Sequence, residues 1–88
     1  MSVSFQVGQE VSKAFASLYG EKLNAEFFQI ESTKPNFEGD QTLVVFPLLK
    51  ITKKSPEESA NVIGEWLISN SDLFSDFNVV KGFLNLSL

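Results

Sequence analysis

The chain ends with Phe77-Asn78-Val79-Val80-Lys81-Gly82-Phe83-Leu84-Asn85-Leu86-Ser87-Leu88. Two apolar runs separated by two residues, the second of them glycine, predict a β-hairpin that turns at Lys81-Gly82. Since side chains alternate along a strand, the leucines of the second strand share one face and the residues between them share the other. We expect the leucines to face a core, which would leave Phe83 and Asn85 on the outer face.

Upstream of the hairpin, Ser55-Pro56-Glu57-Glu58 marks the start of a helix. Ser55 is predicted as the N-cap, Pro56 occupies the first helical position, and Glu58 can reach back to the Ser55 amide in a capping box. The helix should run to about Ser69. Its apolar stripe consists of Ala60, Ile63, Trp66 and Leu67. A single helical turn is expected over residues 72–77.

A second helix is predicted from Ser4 to Tyr19, because apolar residues recur there at helical spacing. This stripe consists of Val7, Val11, Ala14, Phe15 and Leu18. Ser2 or Ser4 can cap its start, and Gly20 stands where a C-terminal glycine cap belongs.

The middle of the chain predicts two strands and a short helix. Residues 26–33 alternate apolar and polar side chains, which indicates a half-buried strand. Residues 41–46 are β-branched and apolar, which indicates a buried strand, and Pro47 can begin a short helix through Ile51. The predicted fold class is α+β, with about three helices packed on one face of a small, mostly antiparallel four-stranded sheet that ends in the hairpin. Residues 1–88 are expected to form a single domain.

Composition excludes most catalytic chemistry within this chain, which contains neither Cys nor His. Without them there are no disulfides, no thiolate nucleophiles and no imidazole bases or ligands. Glu57-Glu58 fits a structural role at a helix N-terminus, and Glu38-Gly39-Asp40 fits a tight turn better than a calcium loop. We therefore expect no catalytic, cofactor-binding or metal-binding residue in these 88 residues.

The charge balance argues against tight nucleic-acid binding by the chain alone. Seven lysines face eleven acidic residues, there is no arginine, and the net charge is −4. Proteins that bind nucleic acid by neutralising phosphates usually carry a basic surface. The cluster Lys50, Lys53 and Lys54 is expected to be solvated on a turn between helices, with a phosphate-contacting patch as a lesser alternative.

Phe83 and Asn85 are the candidate binding pair. An exposed aromatic ring beside an amide can stack on an unpaired base and hydrogen-bond its edge. The alternative is that Phe83 packs the hairpin against a neighbouring loop.

The longest uncharged run, residues 41–49, is far shorter than the ~20 residues of a membrane helix. No secretory signal follows Met1, so a cytoplasmic location is expected. The pattern stops at Leu88 within a strand, from which we expect an excised piece of a longer protein.

Taken in order, these motifs resemble the N-terminal additional domain of arginyl-tRNA synthetases. The amphipathic helix and first strand are followed by a Gly-Asp step at Gly39-Asp40. A Lys-rich segment then leads into a Pro-led helix, and the hairpin carries Gly-Phe-x-Asn. The last two motifs read Lys53-Lys54-Ser55-Pro56-Glu57-Glu58-Ser59-Ala60 and Gly82-Phe83-Leu84-Asn85.

The resemblance implies a non-catalytic domain that contacts the D-loop at the elbow of tRNA for arginine. Phe83 and Asn85 would hold a D-loop base, and the nearby Lys81 would touch phosphate. The catalytic and anticodon-binding domains, absent from this chain, would bind ATP and arginine and read the anticodon in the parent ligase. The domain is expected to be a monomer with no DNA or membrane partner. The alternative is a stand-alone protein-interaction module that uses its hairpin edge or an exposed aromatic patch.

Overall fold

The computed structural model describes residues 2–88 and contains three α-helices and four β-strands over that range. Short 3-10 turns at Ala25–Phe27 and Phe46–Leu48 lie between these elements. In chain order the elements are α1 (Val3–Tyr19), β1 (Ile30–Ser32), β2 (Gln41–Val44), α2 (Leu49–Thr52), α3 (Pro56–Asn70), β3 (Asp76–Val80) and β4 (Phe83–Ser87).

The four strands form one antiparallel sheet in the order β1-β2-β4-β3. The last strand, β4, therefore lies inside the sheet, where Leu84 is opposite Leu43 on β2 and Val79 on β3. Leu84 and Leu86 are fully buried in the core. The predicted α+β class, the antiparallel sheet and the closing hairpin are confirmed.

The core lies between this face of the sheet and the two long helices, α1 and α3. Both helices bury apolar residues at the predicted spacing, and Leu43, Val45 and Leu48 complete the cluster from the middle of the chain. The fully buried helical residues are Val7, Val11, Ala14 and Phe15 of α1 and Ala60, Ile63 and Leu67 of α3. Each predicted stripe includes one residue outside the fully buried set: Leu18 is 36% exposed, and Trp66 is half-buried and packs against the core.

Both long helices begin at the predicted serine caps. The Ser2 hydroxyl accepts a hydrogen bond from the Phe5 amide at 3.1 Å, and the Ser55 hydroxyl accepts one from the Glu58 amide at 3.2 Å. The Glu58 carboxylate accepts a hydrogen bond from the Ser55 hydroxyl at 3.1 Å instead of reaching the Ser55 backbone amide. Gly20 ends α1 in the left-handed conformation at φ 69°, as predicted.

The middle of the chain differs from the prediction in two places. The predicted strand over residues 26–33 is shortened to β1, because a 3-10 turn precedes it and places the Phe28 ring 5.3 Å from that of Phe15 in the core. The strand predicted over residues 41–46 ends at Val44, and Phe46 is 48% exposed where a buried side chain was expected. The short helix after Pro47 is present as α2.

The helical turn predicted over residues 72–77 is absent, because this segment forms a turn that leads directly into β3 at Asp76. The Asp76 carboxylate accepts a hydrogen bond from the Phe77 amide at 2.8 Å. The Ser75 amide donates to the Ser87 carbonyl at 2.9 Å. Ser75 therefore already pairs with the end of β4, and the chain enters β3 without a helical turn.

Candidate nucleic-acid interface

The hairpin turn brings the predicted binding residues to one end of the sheet. Lys81 and Gly82 both have positive φ, at 49° and 81°, as a two-residue hairpin turn of type I′ requires. A side chain on Gly82 would also collide with its surroundings, because a Cβ there would lie 2.8 Å from Phe46 Cζ and 2.9 Å from Pro56 Cβ. The turn is thus held against Phe46 and the start of α3.

Phe83 and Asn85 lie on the sheet face opposite the core leucines, as alternation predicts, but only one of them is exposed. Phe83 is 37% exposed. Asn85 is 2% exposed, so the prediction that it faces outward into solvent is wrong. The loop between β1 and β2 covers it, and a Cβ on Gly39 of that loop would lie 3.2 Å from Asn85 Cβ.

Asn85 is the centre of a row of hydrogen bonds that crosses three strands. Thr42 Oγ1 on β2 donates to Asn85 Oδ1 at 2.6 Å. On the other side, Asn85 Nδ2 donates to Asn78 Oδ1 on β3 at 3.1 Å. Asn78 Nδ2 in turn donates to the carbonyl of Glu38 in the covering loop at 2.8 Å. The row fixes the Asn85 amide and holds the loop over the sheet.

The Asn85 amide keeps some capacity for a ligand. An asparagine side chain offers two N–H donors and a carbonyl oxygen with two lone pairs. Each of these groups has one partner here, so one N–H and one lone pair remain. Asn85 also lines a cavity, so its remaining N–H and lone pair are available to a ligand bound there.

A cavity of about 140 Å³ lies between the outer face of the sheet and the loop after β1. All three predicted binding residues, Phe83, Asn85 and Lys81, line it, so the structure brings them together. A cavity of about 150 Å³ accommodates one benzene-sized ring. The remaining lining residues are Glu31, Ser32, Lys34, Phe37, Thr42 and Val80.

Sequence reasoning missed the side of the cavity formed by Lys34 and Phe37. Phe37 is an exposed aromatic residue in a loop that otherwise consists of polar and turn-forming residues. An aromatic ring in such a loop is the signal that could have indicated a binding role. Thr42 was assigned to a buried strand, which is correct, but its contact with Asn85 joins residues 43 positions apart and has no local signal.

The rim of the cavity carries more positive than negative charge, although the chain is acidic. Lys34 and Lys81 line it together with one carboxylate, that of Glu31. Within residues 2–88, the only ion pair joins Lys13 to Glu10 at 2.9 Å, so neither rim lysine is neutralised by a carboxylate in this range. A planar ring against Phe83 and Phe37, with an anionic group at the rim, matches this lining.

Over the described part of the chain, no three His, Cys, Asp or Glu side chains converge closely enough to hold a metal ion. None of the helices within residues 2–88 combines the length and the apolar character needed to cross a bilayer.

Comparison with known proteins identifies relatives along the entire chain. Residues 6–88 match the family described as "Arginyl tRNA synthetase N terminal domain". The chain is 43% identical over 88 residues to "Arginine--tRNA ligase" of Parabacteroides distasonis and 44% identical to that of Bacteroides fragilis. All of this chain is covered in both cases, and it spans 15% of each relative's length.

Among solved structures, the chain superposes on Thermus thermophilus arginyl-tRNA synthetase with a TM-score of 0.77 at 18% sequence identity. The match covers 99% of this chain and 14% of that one. At this level of identity the superposition supports the fold.

Proposed function

Because the chain belongs to the family of arginyl-tRNA synthetase N-terminal domains, we propose that it binds the D-loop at the elbow of tRNA for arginine. Such binding would support arginylation by the protein that carries the domain. The observation behind the proposal is the cavity that Phe83, Asn85 and Lys81 line together. Its volume and aromatic walls suit the ring of one unpaired base, and its two rim lysines suit the phosphate of the same nucleotide.

In this proposal the base enters the cavity and stacks against Phe83. Stacking of a base on an aromatic side chain contributes about 1–3 kcal/mol and tolerates any base, because every base has a π-face. Phe37, on the other side of the cavity, would limit the depth to which the base enters.

Asn85 contributes the hydrogen bond to the base edge through the N–H and lone pair that its protein partners leave unused. Since Thr42 and Asn78 already fix the amide, it loses little conformational freedom on binding. Asn85 therefore acts from the floor of the cavity, not from an exposed surface.

Lys81 and Lys34 supply the phosphate contacts at the rim. Both side chains are exposed and can reach a backbone that passes over the cavity mouth. Each neutralised phosphate releases counterions, which makes the binding salt-dependent.

The catalytic steps of arginylation are proposed to take place outside residues 1–88. We propose that ATP and arginine bind in other domains of the parent ligase, as does the anticodon, and that residues 1–88 form one domain without catalytic residues. We further propose that the domain is monomeric and acts in the cytoplasm, where arginylated tRNA serves translation.

The proposal is tested with the variant Phe83→Ala in the full-length protein that carries the domain. Loss of the stacking ring should weaken binding of tRNA for arginine about 5- to 150-fold, which corresponds to about 1–3 kcal/mol. Binding of arginine and of ATP should not change. Isothermal titration with each of the three ligands measures these affinities.

The matched control is Phe27→Ala. Phe27 is 47% exposed and makes an edge contact with Phe28 at 5.6 Å, but it lies beside α1, away from the cavity. It should bind tRNA like the unmodified protein. Unchanged tRNA binding by Phe83→Ala would overturn the proposal and favour a protein-interaction module instead.

A further inference from the structure

We infer that the RNA-binding surface continues beyond the cavity to a second aromatic platform, Phe46, and to the turn at Lys53-Lys54. This inference rests on the proposed function, and it adds a second nucleotide to the one in the cavity. The neighbouring base stacks on Phe46, and its phosphate lies against Lys53 or Lys54.

Phe46 is the most exposed of the large apolar side chains in the described residues, at 48%. Its ring nevertheless touches Phe83, with the centroids 5.9 Å apart. The hairpin turn packs against the same ring, because a Cβ on Gly82 would lie 2.8 Å from Phe46 Cζ. An exposed ring fixed by its neighbours is a preordered stacking surface, which binds a base at little entropic cost.

The lysine pair lies next to this ring through Pro56. A Cβ on Gly82 would come within 2.9 Å of Pro56 Cβ as well as close to Phe46, so the hairpin turn, Phe46 and the start of α3 meet at one place. Lys54 is two residues before Pro56, so their Cα atoms are at most about 7.6 Å apart. Lys53 and Lys54 are both exposed.

Two acidic residues, Glu57 and Glu58, follow the lysine pair at the start of α3 and bring negative charge next to it. The Glu58 carboxylate is occupied by the Ser55 hydroxyl at 3.1 Å. Glu57 is exposed in the same first turn. Lys53 and Lys54 precede these two carboxylates in the chain, and Lys81 lies on the hairpin turn that meets Phe46 and Pro56. Aromatic rings interleaved with lysines are the usual surface for single-stranded nucleic acid.

The angle between the rings decides which RNA structure fits. The planes of Phe46 and Phe83 are inclined at 78°. Two bases that stack on the two rings are therefore nearly perpendicular and cannot stack on each other. Consecutive bases in a double helix are parallel, so this surface accepts a loop with splayed bases and rejects a duplex.

The test uses Phe46→Leu in the complete protein, with a transcript of tRNA for arginine as the probe. Leucine keeps apolar packing against Gly82 and Pro56 but has no π-face. We expect Kd for the transcript to rise at least about fivefold, the lower end of the stacking range. Phe46→Tyr, which keeps the ring, should bind like the unmodified protein. Phe27→Leu is the matched control and should also leave Kd unchanged.

The lysines are tested by the salt dependence of the same binding. Replacing both Lys53 and Lys54 with Gln should reduce the magnitude of the slope of log K against log salt by at least about 0.7, the value for one phosphate of a single strand. Lys22→Gln, an exposed lysine just after α1, should leave the slope unchanged.

The outcomes separate this inference from the proposed function. If Phe46→Leu binds like Phe27→Leu while Phe83→Ala is weakened, the second platform is refuted and the cavity proposal stands. If Phe83→Ala also binds normally, the proposed function fails. An unchanged salt slope for the variant that lacks both Lys53 and Lys54 would remove the lysine turn from the surface.

Discussion

The side-chain amide of Asn85 has partners on both neighbouring strands, and this makes it a structural residue as well as a candidate ligand. Thr42 Oγ1 carries one hydrogen, which it donates to Asn85, so the contact at 2.9 Å between the Thr42 and Thr33 hydroxyls requires Thr33 to donate. The polar row therefore runs from the loop, through Thr42 and Asn85, to β3. Removal of the Asn85 amide would leave Thr42 on one side and Asn78 on the other without this partner.

We predict that Asn85→Leu destabilises the domain by about 1–3 kcal/mol, since the buried hydroxyl of Thr42 and the half-buried amide of Asn78 lose their partner. Urea unfolding of the 88-residue chain measures this change. Asn61→Leu is the control, because Asn61 is exposed on α3 and its replacement should stay within about 0.5 kcal/mol. Equal stability of the two variants would show that the polar row does not stabilise the loop.

The packing of α3 on the hairpin depends on a close approach at Gly64. A Cβ at this position would lie 2.5 Å from Phe77 Cδ2, well inside van der Waals contact. Gly64 is buried in the middle of the helix, where glycine costs about 1 kcal/mol of helix propensity relative to alanine. The glycine is therefore retained by tertiary packing against the Phe77 ring.

We predict that Gly64→Ala lowers the free energy of unfolding by about 1–3 kcal/mol, since overpacking outweighs the gain in helix propensity. Thermal or urea unfolding followed by circular dichroism checks this. Gly64→Ala combined with Phe77→Leu should recover part of the loss, because the smaller side chain makes room for the added methyl group. A more stable Gly64→Ala variant would mean that the Phe77 ring moves aside at little cost.

Elements with strong local signals were predicted well, and those set by distant contacts were not. The Ser55 cap and the Lys81-Gly82 turn act within a few residues, so α3 and the hairpin have the expected limits to within one or two positions. The start of β1 depends on Phe28 packing against Phe15. That contact joins segments 13 residues apart, and alternation alone could not distinguish it from a longer strand.

The candidate site shows the same division. Phe83 and Asn85 follow from one hairpin and its alternation, whereas Lys81 follows from the resemblance to the synthetase domain, so the sequence is enough to select all three. The burial of Asn85 could not be predicted from the sequence, because it depends on how the loop that carries Gly39 folds over the sheet. Phe46 was assigned to a buried strand, since a residue before proline at the end of an apolar run gives no sign of its exposure.

For the chain taken together, charge is distributed unevenly. The net charge is −4. Four lysines nevertheless lie around the cavity and the hairpin turn, because two line the cavity and two precede the helix start that contacts Gly82. These four are Lys34, Lys81, Lys53 and Lys54. The acidic remainder weakens attraction to RNA at a distance, while these four lysines permit local contacts.

We predict that the isolated 88-residue chain binds tRNA for arginine with a Kd no tighter than about 1 μM at physiological salt. With at most four lysines near phosphates, the slope of log K against log salt should not exceed about 3 in magnitude for a single strand. Fluorescence anisotropy over a salt series measures both quantities. Nanomolar binding by this chain alone would contradict the idea that the rest of a synthetase supplies most of the affinity.

The position of β4 inside the sheet has a consequence for biosynthesis. During translation β2 is made early, but its partner β4 follows about 40 residues later, so β2 lacks that partner for roughly 2–9 s at ~5–20 residues per second. Over this interval the nascent chain exposes an apolar strand edge that could pair with another chain. Mutations that slow the closing of the hairpin would therefore be expected to lower the yield of protein in the cell more than they lower its equilibrium stability.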